Sequence, residues 1–258
     1  MKVSSHRGAV SQQDSALRQP DDERVVALHR ATLTAVDFRR VRFDRFLLDG
    51  CLFDRCDFRG LKIDRRLAPL FVAQPRSVFR DCYFDGADMR HARLGPSRFE
   101  RCTFDDARLD GSDAGMAEFI DCRFAGVLDD VTFYGTPLGA ETRRLDPPRR
   151  RNEFRGNDFR DAELIDVVFI AGIDMDRQRF PEDDELYVRI DDFRRRVAKA
   201  RAQIKQWYER ERAPALVMLA SIVARWRDQD VVVARRWTPR IKASDRVQAR
   251  VWDLLEHI

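Results

Sequence analysis

The sequence predicts an all-β solenoid followed by a small α-helical domain, and three observations carry that prediction. Large apolar residues recur at every fifth position over long stretches of the 258-residue chain. A small residue stands two positions before every one of those from Phe79 to Phe124. From Pro181 onward the five-residue interval gives way to helical spacing.

Counting by five from Leu28 gives Leu28, Leu33, Phe38, Phe43, Leu48, Phe53, Phe58 and Ile63. Counting from Phe79 gives Phe79, Phe84, Met89, Leu94, Phe99, Phe104, Leu109, Ala114, Phe119 and Phe124. A third block holds Phe154, Phe159, Leu164 and Phe169. Two residues before each centre, the middle block reads Ser77, Cys82, Ala87, Ala92, Ser97, Cys102, Ala107, Ser112, Ala117 and Cys122. Residues two apart in an extended segment share a face. Each unit therefore turns one small and one large side chain inward, and three positions rich in Arg and Asp outward. A period of five fits neither a helix stripe nor a long strand. It fits a short extended piece followed by a sharp turn. Six of the twelve glycines stand two residues after a centre, where such a turn needs a positive φ.

If four turns close one coil, twenty residues return the chain to the same face. Cys82, Cys102 and Cys122 then stack at about 4.7–4.9 Å, with Phe84, Phe104 and Phe124 beside them. Phe79, Phe99 and Phe119 form a neighbouring ladder. These cysteines are small inward residues, not a metal site: no histidine falls in the inward columns, and thiols in register are not tetrahedral. Disulfides between stacked rungs need distorted geometry, and five cysteines is an odd number. The pattern, over about residues 26–170, resembles the pentapeptide-repeat family. That resemblance implies a right-handed quadrilateral β-helix. Phe46 in the small column, with Val26, Val36, Val41 and Leu61, predicts a less regular first block.

The expected division is a disordered segment over 1–25, a coil over 26–176, and an α-helical domain over 180–258 that caps the coil or makes a dimer. Loops are expected near 64–78, with Leu70 and Phe71 packing back on a face, and near 139–152, where Pro147 and Pro148 prevent regular pairing. Between them the register passes through Phe133 and Leu138. In the tail, Leu186, Ile190, Phe193, Val197, Ala200, Ile204 and Trp207 alternate by four and three, predicting one helix from about residue 182 that Pro214 ends or kinks. A short apolar helix follows, then an irregular or strand segment, then a helix with Ser244 as N-cap.

Residues 28–179 carry 27 basic and 27 acidic residues, and residues 180–258 carry 17 and 13. The coil is neutral and the tail carries the whole net charge of +4. No apolar run approaches the ~20 residues that span a bilayer, and no signal-peptide core opens the chain, so a cytoplasmic protein without membrane contact is expected. The four histidines lack metal spacing, and no phosphate loop or nucleophile elbow occurs. No catalytic residue, metal or cofactor is expected. The resemblance implies protein binding: some members of that family resemble a DNA duplex in size and negative charge, bind DNA gyrase, and protect it from quinolones or peptide toxins. A neutral coil weighs against such mimicry here. The expected function is thus a non-enzymatic scaffold, a homodimer, with a topoisomerase as its specific candidate partner. Candidate contacts are Arg149, Arg150 and Arg151 on the second loop. The alternative is binding of nucleic acid or another anionic partner through Arg194, Arg195, Lys199 and Lys205 in the tail.

Overall fold

The computed structural model describes residues 3–6, 9–11, 25–40, 45–64, 66–238 and 240–258. Short strands stack in parallel, because each unit allows only about three extended residues before the chain corners. The longest ladder joins Phe154–Arg155, Glu118–Ile120, Arg98–Glu100, Val78–Arg80, Leu52–Asp54, Thr32–Thr34 and Ala9–Ser11 in that order. Its register sets Phe53, Phe79, Phe99, Phe119 and Phe154 one above another. A second ladder runs through Asp37, Asp57, Tyr83, Thr103, Arg123, Asp158 and Arg179. A third joins Lys62, Asp88 and Arg108 and continues with Leu128 against Leu164. A fourth passes from Arg93 through Asp113 and Thr132 to Val168. Within the segment expected to be disordered, Val3–His6 and Ala9–Ser11 are strands that pair in parallel with Val25–His29 and Thr32–Thr34. The remainder of residues 1–24 lies outside the described residues, as do Val41, Phe43 and the side chain of Phe46.

The inward columns form a packed aromatic interior. Phe84, Phe104 and Phe124 stack at 5.1 and 4.9 Å between ring centroids, and Phe79, Phe99 and Phe119 at 5.1 and 5.0 Å. Between the columns the rings meet edge to face, as for Phe99 and Phe104 at 72°, an arrangement aromatic quadrupoles favour. Beside them Cys56, Cys82, Cys102 and Cys122 are buried and unbridged. Each thiol donates to the carbonyl of the rung before it: Cys56 to Leu33, Cys82 to Phe53, Cys102 to Phe79 and Cys122 to Phe99, at 3.3–3.5 Å. Two amides extend the column. Asn157 Nδ2 donates to the Phe119 carbonyl at 2.9 Å, and Gln178 Nε2 to the Phe154 carbonyl at 3.1 Å.

Most corners are left-handed, with or without glycine. Gly86 has φ +65°, but Asp81, Arg101 and Asp121 fill the same slot at φ +52°, +51° and +53°. A non-glycine residue costs about 1–2 kcal/mol in that region, which the stacked rungs offset through their ladder bonds.

The two breaks do not leave the coil. In the first, the one-turn helix α1 (Pro69–Val72) delivers Leu70 and Phe71 into the core, both 0% exposed. Phe71 stacks on Phe79 at 5.2 Å. Its backbone approaches Gly95 so closely that a Cβ there would lie 2.5 Å from the Phe71 oxygen. In the second, Leu145 and Asn152 are buried, and Asn152 Nδ2 donates to the carbonyls of Tyr134 and Gly115. The segment is a strap laid on the coil rather than a projecting arm. Before it, one unit is only four residues long: Leu128 points inward, whereas Leu138 is 51% exposed. The continuous strand Arg123–Asp129 absorbs that missing residue, which a count by five passes over.

The tail contains α2 (Phe193–Ile204), α3 (Glu209–Arg225) and α4 (Asp245–His257). Tyr187–Ile190 is a strand, antiparallel to Val232–Arg235, so the first helix starts later than its four-three spacing predicts. Asp192 at φ +51° separates strand from helix. Pro214 lies inside α3 and does not end it, though it has no N–H to give to the Arg210 carbonyl. Ser244 stands at the N-cap of α4 without a side-chain capping bond. Among the described residues, no helix is long and apolar enough to cross a membrane.

This domain covers the end of its own coil. Tyr187 and Val233 join the coil core, and the coil residues Val168 and Ile170 join the core of the tail. Asp166, its side chain 2% exposed, accepts from Arg225 at 2.9 Å and from Thr238 Oγ1 at 2.6 Å. Gln229 accepts from the Gly172 N–H at 3.1 Å and donates to the Ile173 carbonyl. Capping answers a physical need, because the last rung of any stacked coil has unpaired backbone and an apolar end.

Candidate interaction surface

Outward positions on the coil repeatedly read Asp-x-Arg, and that spacing closes a local ion pair. Asp57 Oδ1 accepts the Arg59 backbone N–H at 2.9 Å, and its Oδ2 accepts the guanidinium at 2.6 Å. Asp37 with Arg39, Asp88 with Arg90, and Asp158 with Arg160 repeat the arrangement. The arginine hydrogen bond in each holds Asp57, Asp88 and Asp158 below the ordinary carboxylate range. Other pairs cross rungs, as Arg101 with Asp81 and Arg123 with Asp105, both at 2.8 Å. Positive and negative charge are thus matched within a few ångströms at these positions. Asp105 departs from this: burial, and then nearby Asp85, Asp106 and Asp161, raise its carboxyl against the pull of Arg123.

A buried carboxylate ties both loops to the first ladder. Glu118, its side chain 4% exposed, contacts Arg76, lies 3.3 Å from Arg98 and lies 3.4 Å from Arg149. Arg149 was expected to reach a partner. It instead turns inward, 9% exposed, and donates to the carbonyls of Met116 and Pro96. Burial pushes its guanidinium below its usual range. Arg150 and Arg151, by contrast, are exposed, as are Arg143 and Arg144 earlier on the same strap. Sequence reading passed over Arg143 and Arg144; their signal was the lack of an Asp two residues before either.

Residues 82–126 match the family model for pentapeptide repeats, in eight copies. This segment is a pentapeptide-repeat array. Among solved structures, a trypsin-treated variant of QnrB1, described as a plasmid-mediated fluoroquinolone resistance protein, is 14% identical with a TM-score of 0.32, covering 69% of this chain and 79% of that one. Full-length QnrB1 is 15% identical with a TM-score of 0.24, covering 70% and 95%. No curated protein matches the chain.

All nine residues expected in the inward ladders are buried: Phe79 just before the array, and Cys82, Phe84, Phe99, Cys102, Phe104, Phe119, Cys122 and Phe124 within it. Burial raises the Cys102 thiol, and contact with Cys82, then burial, raises Cys56. Cys82 lies buried between the Cys56 and Cys102 thiols, and the whole column is shielded from solvent. Beyond the array, the tail cations do not converge. Arg195 pairs with Asp192 at 2.6 Å, and Arg194 lies 3.6 Å from Asp228. Lys199 and Lys205 are exposed. Arg196 turns onto the carbonyls of Leu255, Glu256 and Ile258, closing the C-terminus of α4 as a cation there should. Among the described residues, no group of three or more His, Cys, Asp or Glu side chains is placed to hold a metal ion.

Proposed function

We propose that the protein is a non-enzymatic scaffold that binds another protein, with a DNA topoisomerase of the gyrase type as the specific partner. One observation carries the scaffold reading. Along the coil, Asp-x-Arg pairs hold outward side chains on a laddered backbone, so binding to them forfeits little side-chain entropy. The choice of partner draws on the family resemblance of the repeats. Recognition here does not run on imitation of a duplex, since the coil holds equal numbers of acidic and basic residues. The tail gives the nucleic-acid alternative less support, because Arg194 and Arg195 are spent on aspartates and Arg196 on helix carbonyls.

Analytical ultracentrifugation of the full chain with purified DNA gyrase tests the proposal. A co-sedimenting complex with Kd tighter than about 10 µM is expected, little weakened between low and physiological salt. No complex with gyrase, or binding only to DNA with a steep salt slope, contradicts it.

A further inference from the structure

Nearly every arginine on the coil has a carboxylate partner, and the exceptions cluster. Between residues 28 and 179, the arginines with described side chains and no ion pair are Arg30, Arg143, Arg144, Arg150, Arg151 and Arg177. Four of these stand within nine residues of one another on the second strap, and all four are exposed. Exposed Asp146 makes no ion pair with them.

The backbone beneath them is held. Leu145 is buried between the two arginine pairs. The Asp146 carbonyl accepts from Arg76 N–H at 3.2 Å, and the Asp146 N–H donates to Gln74 Oε1 at 3.1 Å. Arg149 and Asn152 anchor the far side. Four guanidinium groups therefore project from a fixed strap on a coil where most other described arginines are paired with carboxylates. Arginine forks match carboxylates two bonds at a time, and a fixed patch binds with less ordering cost than a mobile arm.

We infer that Arg143, Arg144, Arg150 and Arg151 form a docking patch for a carboxylate-rich segment of a protein partner. The inference rests on the protein-binding reading above and supplies its contact surface. A nucleic acid fits less well. Its backbone carries a charge every ~1.7 Å, and it would run off this short patch onto faces where Asp57, Asp88 and Asp158 also point outward. A short acidic segment matches the patch in extent and sign.

Fluorescence anisotropy of the full chain with a labelled Glu/Asp-rich peptide of about fifteen residues tests this, beside its Gln/Asn counterpart and a 20-base-pair DNA duplex. The quadruple replacement Arg143→Gln, Arg144→Gln, Arg150→Gln and Arg151→Gln should weaken the acidic peptide about thirtyfold or more. Replacing Lys199 and Lys205 by Gln should change it less than about twofold. If circular dichroism shows the quadruple variant unfolded, the pair Arg150→Gln and Arg151→Gln carries the test, with about fivefold weakening expected. Unchanged peptide affinity, equal binding of the Gln/Asn peptide, or tighter loop-dependent binding of the duplex overturns the inference. Full retention of gyrase binding by a variant that has lost the peptide overturns the docking role alone. Loop-dependent peptide binding without any gyrase binding keeps the patch and rejects the topoisomerase.

Discussion

The phenolic oxygen of Tyr187 accepts the backbone N–H of Leu164 at 3.0 Å. A side chain of the helical domain thus completes the hydrogen bonding of the last rungs of the coil. Leu164 is an inward centre and 4% exposed, so no water replaces that acceptor. Tyr187→Phe should destabilise the protein by about 1–3 kcal/mol, the cost of a buried unsatisfied donor. Urea unfolding checks this; an unchanged midpoint would mean that the cap sits on the coil without completing it.

Asn157 makes the corresponding test inside the coil. It accepts from the Cys122 N–H at 3.0 Å and donates to the Phe119 carbonyl at 2.9 Å. Asn157→Ala strips these two bonds and a third to Gln178 Oε1 at a fully buried site, and a loss of about 2–4 kcal/mol is expected in the same measurement. Asn157→Cys should recover part of it, because four rungs below already use a thiol in that position.

Phe104 lies between Phe84 and Phe124 in its column and is 0% exposed. Phe104→Ala removes a ring from two stacks and leaves a cavity between rungs that cannot collapse. A cost of about 3–5 kcal/mol is expected in equilibrium unfolding. A loss under about 1 kcal/mol would place that ring outside the core.

Acid should weaken the coil in a defined window. Asp57, Asp88 and Asp158 have folded pKa values depressed by their arginine hydrogen bonds. Their contribution is fully present above the unfolded value of about 3.9, and it is lost as pH falls through the depressed folded values. Asp105 is raised, chiefly by burial, and its protonation therefore offsets part of the early loss. Thermal midpoints should be level from neutral pH to about 4 and fall below it. A steep fall already between pH 7 and 5 would contradict the pairing.

The coil was legible because its interior repeats with the backbone. Phe79, Phe99 and Phe119 differ by twenty residues in the chain and by one rung in space, so a count along the sequence is a measurement of position. Legibility failed wherever a residue keeps its place without keeping the count. Leu128 comes one residue early, Phe71 enters from a helical turn, and Asn157 and Gln178 are polar where the column is otherwise small. The tail misled for another reason: Leu186 and Ile190 satisfy helical spacing, yet Tyr187–Ile190 is a strand that pairs with Val232–Arg235. Arg149 and Arg150 are neighbours in sequence with opposite fates, since long-range contacts with Glu118 and the Pro96 and Met116 carbonyls draw one of them inward.

Within the repeats the chain corners after each fifth residue and piles equivalent side chains into closed columns. Thiol titration tests this most directly, because all five cysteines fall in those columns. The native protein should show no reactive thiol toward Ellman's reagent, and the denatured protein should show five. Rapid native labelling at Cys82, Cys102 or Cys122 would contradict the account.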